Sequence, residues 1–342
     1  MPAKRIVYLF GAGATIAEAS YAGVVEPLSL VHISELVIEK AKKRQALKEI
    51  LEHIQPDDIK DIEFYISLLE SLQIRKYSDI TNTLRSLFCK TIQERLMVDD
   101  APLEPTLSMA LLQMHRAIEE KEELKGAISL NYDSLLDHAF NKIHNGLNYW
   151  IKCKVSGSTH DYSLNPRSVP LIKLHGSFNW RRGFPSITID ERQAQSGEQA
   201  EMLWLPPSIE KERSYYPFNT LWGKAFELLD CDVLRIVGCK LSQNDWGLTS
   251  LLFNTQLRTD KAYQIELINS HEGGLEIRER NGFLKNVKVL GELEGCKPIA
   301  KYGTQNVFES WLKTKILLLR EKGLCVNERG LNYVNKIMGV RT

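Results

Sequence analysis

Five short apolar runs in this chain each end on glycine or on a polar residue, and this repeated ending constrains the fold more than any other feature of the sequence. Residues 171–174 form one such run, which stops at His175 before Gly176. The other four are residues 5–10 before Gly11, 127–130 before Asn131, 233–237 before Gly238 and 265–268 before Asn269. The runs have the length and composition of buried strands, and open α/β sheets bind ligands beyond the carboxyl ends of their strands. The coincidence therefore predicts a nucleotide site at one edge of a sheet.

The composition fits one large α/β domain with a helical insertion. A chain of 342 residues is long for one simple domain and short for three, and its hydrophobic fraction of 43% suffices for a core. Lysine and arginine total 44 against 43 acidic residues. The charges nearly cancel, so no long-range electrostatic field attracts the chain to nucleic acid or to an anionic membrane. We expect direct binding to neither.

Cysteine usage and the amino terminus predict a reduced, cytoplasmic protein. The six cysteines include no C-x-x-C pair, which argues against a zinc ribbon and against a disulfide-dense secreted scaffold. Residue 1 leads almost directly into the first predicted strand, which leaves no room for the apolar core of a signal peptide. No apolar stretch approaches the length of a membrane span. We expect buried thiols and a cytoplasmic location.

The spacing of apolar residues divides the chain into a sheet domain, an insertion and a tail. Residues 29–125 carry apolar side chains mostly at helical spacing and contain no glycine, which predicts a helical insertion. The sheet domain is predicted to comprise residues 1–28 and 126–300. Residues 301–342 predict a helical tail that packs on the body or on a neighbouring subunit. Residues 181–216 are irregular in composition and predict a lid over the ligand cleft.

The turn after the first run has the composition of a phosphate-binding turn. Gly11-Ala12-Gly13 supplies a tight turn and a close backbone approach, and the helix that follows would present its amino terminus to a pyrophosphate. The third glycine of the dinucleotide fingerprint would fall at Ile16. An ordinary strand-to-helix turn is the alternative interpretation.

Two further strand ends carry side chains suited to chemistry at a sugar. The Asn131 amide can position a water or a hydroxyl without carrying charge, and the Asp133 carboxylate can orient neighbours or stabilise a developing cation. Capping of the next helix by Asp133 is an equally good interpretation. His175 is the best candidate for a general base. No H-x-x-H or H-E-x-x-H pattern occurs, so we predict no catalytic metal.

Five segments occur in one order along the chain: GAGAT at residues 11–15, SLNYD at 129–133, KLHGSFNW at 173–180, VGCKL at 237–241 and LINS at 267–270. Together they resemble the sirtuin family, and in particular its bacterial branch of NAD-hydrolysing antiphage defence proteins. The chain lacks the zinc module of two C-x-x-C pairs that sirtuin deacylases carry. Tyr132 replaces a smaller aliphatic residue, which resembles the NAD hydrolase branch, as does the helical insertion.

The resemblance implies an α/β fold with a Rossmann-like, mostly parallel sheet, helices on both faces and NAD across the carboxyl edge. It implies a role for each matching residue. Gly11, Ala12, Gly13 and Thr15 would hold the pyrophosphate, Asn131 and Asp133 would lie by the nicotinamide ribose, and Gly238, Cys239 and Asn269 would face the adenosine half. His175 would be the catalytic base.

The reaction implied by this resemblance is hydrolysis of the bond between nicotinamide and ribose. A water positioned by Asn131 and activated by His175 would capture the ribose, and the products would be nicotinamide and ADP-ribose. An enzyme that depletes NAD needs control, so the resemblance also implies a regulated effector of bacterial antiphage defence. Control would come from a homo-oligomer, an infection signal or a partner such as a DNA-translocase-type ATPase, an Argonaute-like protein or a phage component.

Three alternatives differ in what they require of the chain. An NAD-dependent protein deacylase would use Asn131 and His175 but needs a peptide groove, which is usually built beside the missing zinc module. A non-catalytic module that senses NAD or ADP-ribose has no need of a base beside the ribose. A hydride-transferring dehydrogenase would need an acidic residue at the end of its second strand, and this chain has no clear one there. The hydrolase is therefore the favoured interpretation.

Overall fold

The computed structural model describes residues 2–24, 28–44, 61–71, 75–156, 163–183, 186–190, 202–205, 215–241, 245–258, 263–290, 307–322 and 331–340. Several positions considered above lie outside the described residues, among them Cys296, Cys325 and the stretch 191–200 of the predicted lid.

The secondary structure alternates between strands and helices along most of the chain. The strands are β1 (Lys4–Phe10), β2 (Met97–Val98), β3 (Ala101–Pro102), β4 (Glu122–Ser129), β5 (Cys153–Val155), β6 (Leu171–Lys173), β7 (Gly176–Arg181), β8 (Ile187–Ile189), β9 (Met202–Trp204), β10 (Val233–Val237), β11 (Gln264–Ile268) and β12 (Val287–Val289). The helices are α1 (Ala12–Tyr21), α2 (Leu30–Lys42), α3 (Ile62–Ser71), α4 (Arg75–Arg95), α5 (Thr106–Ala117), α6 (Leu135–His144), α7 (Phe218–Leu228), α8 (Trp246–Arg258), α9 (His271–Arg280), α10 (Val307–Glu321) and α11 (Asn332–Ile337).

A parallel sheet of six strands forms the centre of the molecule, in the order β12-β11-β10-β1-β4-β6. This is the doubly wound strand order, in which the winding reverses between β1 and β10 and leaves a crevice at their carboxyl ends. Residues 6–10 of β1 are all buried. Because successive side chains of a strand point to opposite faces, both faces of the sheet are covered. The predicted fold class, α/β with a Rossmann-like, mostly parallel sheet, is confirmed.

A smaller mixed sheet has the order β5-β8-β7-β9, and its strand β7 begins directly after His175 of the third segment. Its strand β7 begins at Gly176, where φ is +74° and an added Cβ would lie 2.3 Å from the carbonyl oxygen of Leu203. Glycine is required there because no other residue fits that backbone conformation and that contact. Strands β8 and β9 fall within residues 181–216. The prediction of an irregular lid is therefore wrong for these parts, which pair with β7.

Helices α2, α3 and α4 form a second core, which includes the buried side chains of Leu84 and Phe88. Three aromatic residues from outside the insertion complete this core, namely Tyr132, Phe178 and Trp204. The rings of Phe88 and Trp204 stack with centroids 5.9 Å apart, and the ring of Tyr132 meets that of Trp204 edge to face at 4.9 Å. The insertion thus packs on the loop that follows β4.

Helix α5 packs in the main core, although it lies within residues 29–125. Its side chains Leu107, Leu111 and Met114 are buried in the cluster that surrounds the parallel sheet. Strand β4 of that sheet begins at Glu122. The domain boundaries given above stay a prediction.

The carboxyl-terminal helices pack on the body of the molecule. Phe308 of α10 contacts the ring of Phe10 at 6.3 Å between centroids, and Val334 of α11 is fully buried. The amide of Tyr333 donates to the side-chain oxygen of Gln113 on α5 over 2.9 Å. In the part of the chain that the structure describes, no helix combines the length and the apolar character needed to cross a membrane.

Candidate active site

The carboxyl ends of five parallel strands meet along one edge of the sheet, and each is followed by a residue predicted for the site. The crevice expected from the strand order lies between the turn after β1 and the turn after β10. These are the turns of Gly11 and Gly238. The site is therefore built around this pair of turns, with the ends of β4, β6 and β11 beside them.

The two turns are in direct backbone contact. The amide of Gly11 donates to the carbonyl of Val237 over 3.0 Å, and the amide of Gly13 donates to the carbonyl of Gly238 over 2.8 Å. A Cβ on Gly13 would lie 2.7 Å from the Cα of Gly238. Gly238 has φ of +59°, and its Cβ would lie 2.4 Å from the amide nitrogen of Ala14. The glycines are thus needed for the approach of one turn to the other, and the Gly13 amide is already used within the protein.

Helix α1 begins at the crevice without a side-chain cap. Its N-cap residue is Gly11, which has no side chain to accept from the first amides. Ala12 and Thr15 lie in the first turn of this helix. The positive end of the helix dipole therefore points into the crevice, an arrangement that favours an anion.

Asn131, Thr15 and Asp133 form a hydrogen-bonded chain beside this helix start. The Nδ2 atom of Asn131 donates to the carbonyl of Gly11 and to Oγ1 of Thr15, both over 3.0 Å. The hydroxyl of Thr15 in turn donates to Oδ2 of Asp133 over 2.7 Å. Both hydrogens of the Asn131 amide are thus used. Within the described residues, no hydrogen bond engages its Oδ1 atom.

Asp133 makes the capping contact that the sequence offered, and its role beside the ribose stays a prediction. Its Oδ1 atom accepts from the amide of Leu135 over 3.1 Å, so it caps the start of α6, while Oδ2 faces Thr15. Burial raises the pKa of the Asp133 carboxyl, and the nearby Lys173 ammonium and the Thr15 hydroxyl oppose that shift. The residue therefore has a structural bond of its own in addition to its place beside Asn131.

His175 is buried and pairs with a carboxylate that the sequence analysis missed. Its Nε2 atom lies 3.3 Å from Oδ2 of Asp245, and the two side chains are 6% and 12% exposed. Asp245 directly precedes α8, and its Oδ1 accepts from the amide of Leu248 over 3.4 Å. The ring of His175 also contacts that of Tyr132, with centroids 6.1 Å apart. An aspartate placed just before a helix, after a strand that ends at the sheet edge, was the available signal for this residue.

Cys239 and Asn269 brace the β10 turn from the far side of the crevice. The Asn269 amide donates to the carbonyl of Cys239 over 2.8 Å, and the amide of Gly238 donates to the carbonyl of Ile268 over 3.2 Å. The Cys239 thiol is buried and accepts from the amide of Leu241 over 3.4 Å. These residues therefore lie at the crevice on the β11 side, opposite the Asn131 group.

The described residues contain no group of three or more His, Cys, Asp or Glu side chains that could hold a metal ion. The structure shows where the site residues lie and what they contact. Their chemical roles stay predictions. It brings the predicted residues to one edge of the sheet and adds Asp245 to them.

Comparisons with known proteins give matches among solved structures. No family model and no curated protein matches the chain. Among solved structures the chain is similar to a mutant of a Sir2 homologue in complex with ADP-ribose, with a TM-score of 0.37 and 12% sequence identity, over 99% of this chain and 95% of that chain.

Proposed function

We propose that the chain is an NAD hydrolase that cleaves the bond between nicotinamide and ribose. One observation carries the proposal: a buried histidine paired with an aspartate, His175 with Asp245 at 3.3 Å, at the sheet edge that also holds Asn131. A sheet edge that only bound a nucleotide would have no use for a base held in this way. The resemblance of the five sequence segments supplies the substrate class.

Several features of the crevice support NAD as the substrate. The uncapped start of α1 suits the pyrophosphate, for which Gly11, Ala12, Gly13 and Thr15 form the floor. Because the Gly13 amide is bonded to Gly238, we assign contact with the phosphates to the remaining groups of the turn. Gly238, Cys239 and Asn269 lie on the β11 side and would face the adenosine half. Asn131 and Asp133 lie on the β4 side and would face the nicotinamide ribose.

The chemistry follows from the charges of substrate and site. Nicotinamide leaves with the bonding pair from a ring that is already cationic, and the anomeric carbon gains oxocarbenium character. The free Oδ1 atom of Asn131 accepts from the attacking water, and His175 takes the proton of that water as it adds. The Asp245 carboxylate stabilises the imidazolium that forms. NAD and water thus give nicotinamide, ADP-ribose and one proton.

The biological setting is part of the same proposal and rests on the sequence resemblance. It consists of a regulated effector of bacterial antiphage defence in the cytoplasm, acting as a homo-oligomer with a partner such as a DNA-translocase-type ATPase. No direct contact with nucleic acid is proposed, in keeping with the balance of 44 basic and 43 acidic residues.

The test is incubation of the purified chain with NAD, followed by chromatography of nicotinamide and ADP-ribose. We expect both products without any peptide, and their loss in His175→Ala and in Asn131→Ala. His32→Ala and Asn254→Ala are matched controls on α2 and α8, and we expect them to retain activity. Release that requires an acetylated peptide would make the chain a deacylase. Binding of NAD without release would make it a sensor.

A further inference from the structure

A lysine ammonium is buried beneath the candidate site with all of its hydrogens matched. Lys173 ends strand β6 and is 0% exposed. Its Nζ atom donates to Oδ2 of Asp137 over 2.7 Å, to the carbonyl of Asp133 over 2.6 Å and to the hydroxyl of Ser177 over 2.7 Å. Burial of an ammonium has a large desolvation free energy unless the group is paired and hydrogen-bonded. An aliphatic side chain at the end of a strand would be buried without that penalty. The contacts of the ammonium therefore indicate what it is for.

Two of the three bonds lead to the loop that carries Asn131. One ends directly on the carbonyl of Asp133. The other reaches Ser177, whose hydroxyl in turn donates to the carbonyl of Tyr132 over 3.0 Å. Two consecutive carbonyls that follow Asn131 are thus tied to the same ammonium. The amide of Phe178 donates to the Tyr132 carbonyl as well, over 3.0 Å, which ties this loop to β7.

The third bond balances the charge and reaches the helix that follows the loop. Asp137 is 0% exposed, lies in the first turn of α6 and also accepts from the hydroxyl of Tyr149. Loop and helix start are therefore held by one buried ion pair.

The position of Lys173 in the chain connects these contacts to the base. Only Leu174 separates it from His175, and the amide of Leu174 donates to the carbonyl of Ser129 over 3.0 Å at the end of β4. We infer that Lys173 is a positioning residue that fixes the loop of residues 131–133 relative to His175. The inference rests on the proposed function, for which water must be placed between the Asn131 amide and the imidazole.

The test uses the double variant Lys173→Met with Asp137→Leu, because Lys173→Met alone would leave a buried carboxylate without its cation and need not fold. Ser177→Ala is a milder variant that keeps the ion pair and removes only the link to Tyr132. Lys315→Met is the matched control: Lys315 lies on α10, and its half-buried ammonium pairs over 2.6 Å with Glu122 at the start of β4, away from the site. We would measure the melting temperature, kcat and KM for NAD, the affinity for ADP-ribose, and backbone amide exchange over residues 129–135.

In the double variant we expect faster exchange over residues 129–135 than in wild type, and a kcat lower by about 100-fold with KM changed far less. Ser177→Ala is expected to show the same changes in smaller degree. Lys315→Met should change neither the exchange of this segment nor kcat, whatever its melting temperature. The inference is overturned if the folded double variant shows unchanged exchange over residues 129–135. It is also overturned if the kcat of that variant equals the kcat of wild type.

Failure of the proposed function would be seen separately. If wild type releases no nicotinamide, the hydrolase proposal falls, while the exchange measurement and the affinity for ADP-ribose still decide whether Lys173 holds the loop. Faster exchange with weakened ADP-ribose binding in the double variant would keep the positioning role. Unchanged exchange would remove it.

Discussion

The Nε2 atom of His175 lies 3.3 Å from Oδ2 of Asp245, although the two residues come from different halves of the sheet. His175 follows β6 at one edge, and Asp245 follows β10 across the switch in strand order. The pair therefore spans the carboxyl edge of β1 and β4, where Asn131 is held. The proposed base and the carboxylate that orients it therefore come together only when both halves of the sheet are folded.

Replacement of Asp245 by Asn should slow hydrolysis of NAD without unfolding the protein. The amide keeps the shape of the side chain but no longer stabilises an imidazolium, so we expect kcat to fall by about 100-fold with little change in KM. The measurement is the initial rate of nicotinamide release. Asp230→Asn serves as the control, since Asp230 is 67% exposed and its ion pair within the described residues is with Arg5, at the amino end of the parallel sheet. A kcat for Asp245→Asn equal to that of the control would remove Asp245 from the mechanism.

Replacement of Gly238 by Ala should separate the two turns of the crevice. Gly339 is the control: its φ of +68° resembles the +59° of Gly238, but an added Cβ meets nothing within 4 Å. Gly339→Ala should therefore cost about 1 kcal/mol in the free energy of unfolding, which is the strain of the backbone alone. Gly238→Ala should cost about 3 kcal/mol, because the new methyl group overlaps the backbone of Ala14. Urea unfolding of both variants measures the difference, and equal costs would contradict the close contact.

Glu18 should make the stability of the protein depend on pH. The side chain is 2% exposed and accepts from the amides of Leu107 and Ser108 at the start of α5, over 2.9 and 2.6 Å. Burial raises the pKa of Glu18 from 4.5 to about 7. The folded state therefore holds this proton at pH values where the unfolded chain has lost it. The stabilising contribution of Glu18 is complete below pH 4.5 and is lost as the pH rises to about 7.

In wild type this loss should amount to as much as about 1.4 kcal/mol per pH unit within that window. Glu18→Gln does not titrate, so its curve of unfolding free energy against pH should lack this component. Urea unfolding from about pH 4.5 to pH 8 gives both curves. Parallel curves would show that Glu18 does not titrate in this window.

Replacement of Phe88 by Ala should weaken both the second core and the reaction. The Phe88 ring is 2% exposed and packs on Tyr132, Phe178 and Trp204. We expect a loss of about 3 to 5 kcal/mol in the free energy of unfolding, and slower hydrolysis at temperatures where the variant is folded. Phe253→Ala is the control, because that ring is 38% exposed and contacts Phe283 on the surface. Its cost should stay below about 1 kcal/mol, with hydrolysis unchanged.

The strands of the parallel sheet could be predicted from the sequence because they are buried on both faces. Such strands carry no polar face, so they appear as continuous apolar runs, and residues 233–237 coincide with β10. The edge of the site could be predicted for the same reason, since the runs end where polar residues begin. Strand β7 is not a continuous apolar run. Ser177, Asn179 and Arg181 are polar yet buried, and their hydrogen bonds exist only in the folded chain, such as that from Arg181 to the carbonyl of Phe178 over 2.7 Å.

The partners of the site residues could not be predicted, because they are contacts between distant segments. Asp245 comes from the far half of the sheet, and nothing in its local sequence indicates His175. Lys173 ends an apolar run, and its burial depends on Asp137 from another element. The contact between Gly13 and Gly238 could not be predicted for the same reason, and the predicted contact of the first turn with a phosphate stays a prediction.

Tyr132 belongs to the core of the helical insertion, while Asn131 and Asp133 on either side of it belong to the site. A single peptide segment thus has two structural roles, because its central ring packs with the insertion while its two neighbours hold the candidate site together. Replacement of the Tyr132 ring would therefore disturb both the core of the insertion and the loop that holds Asn131 and Asp133.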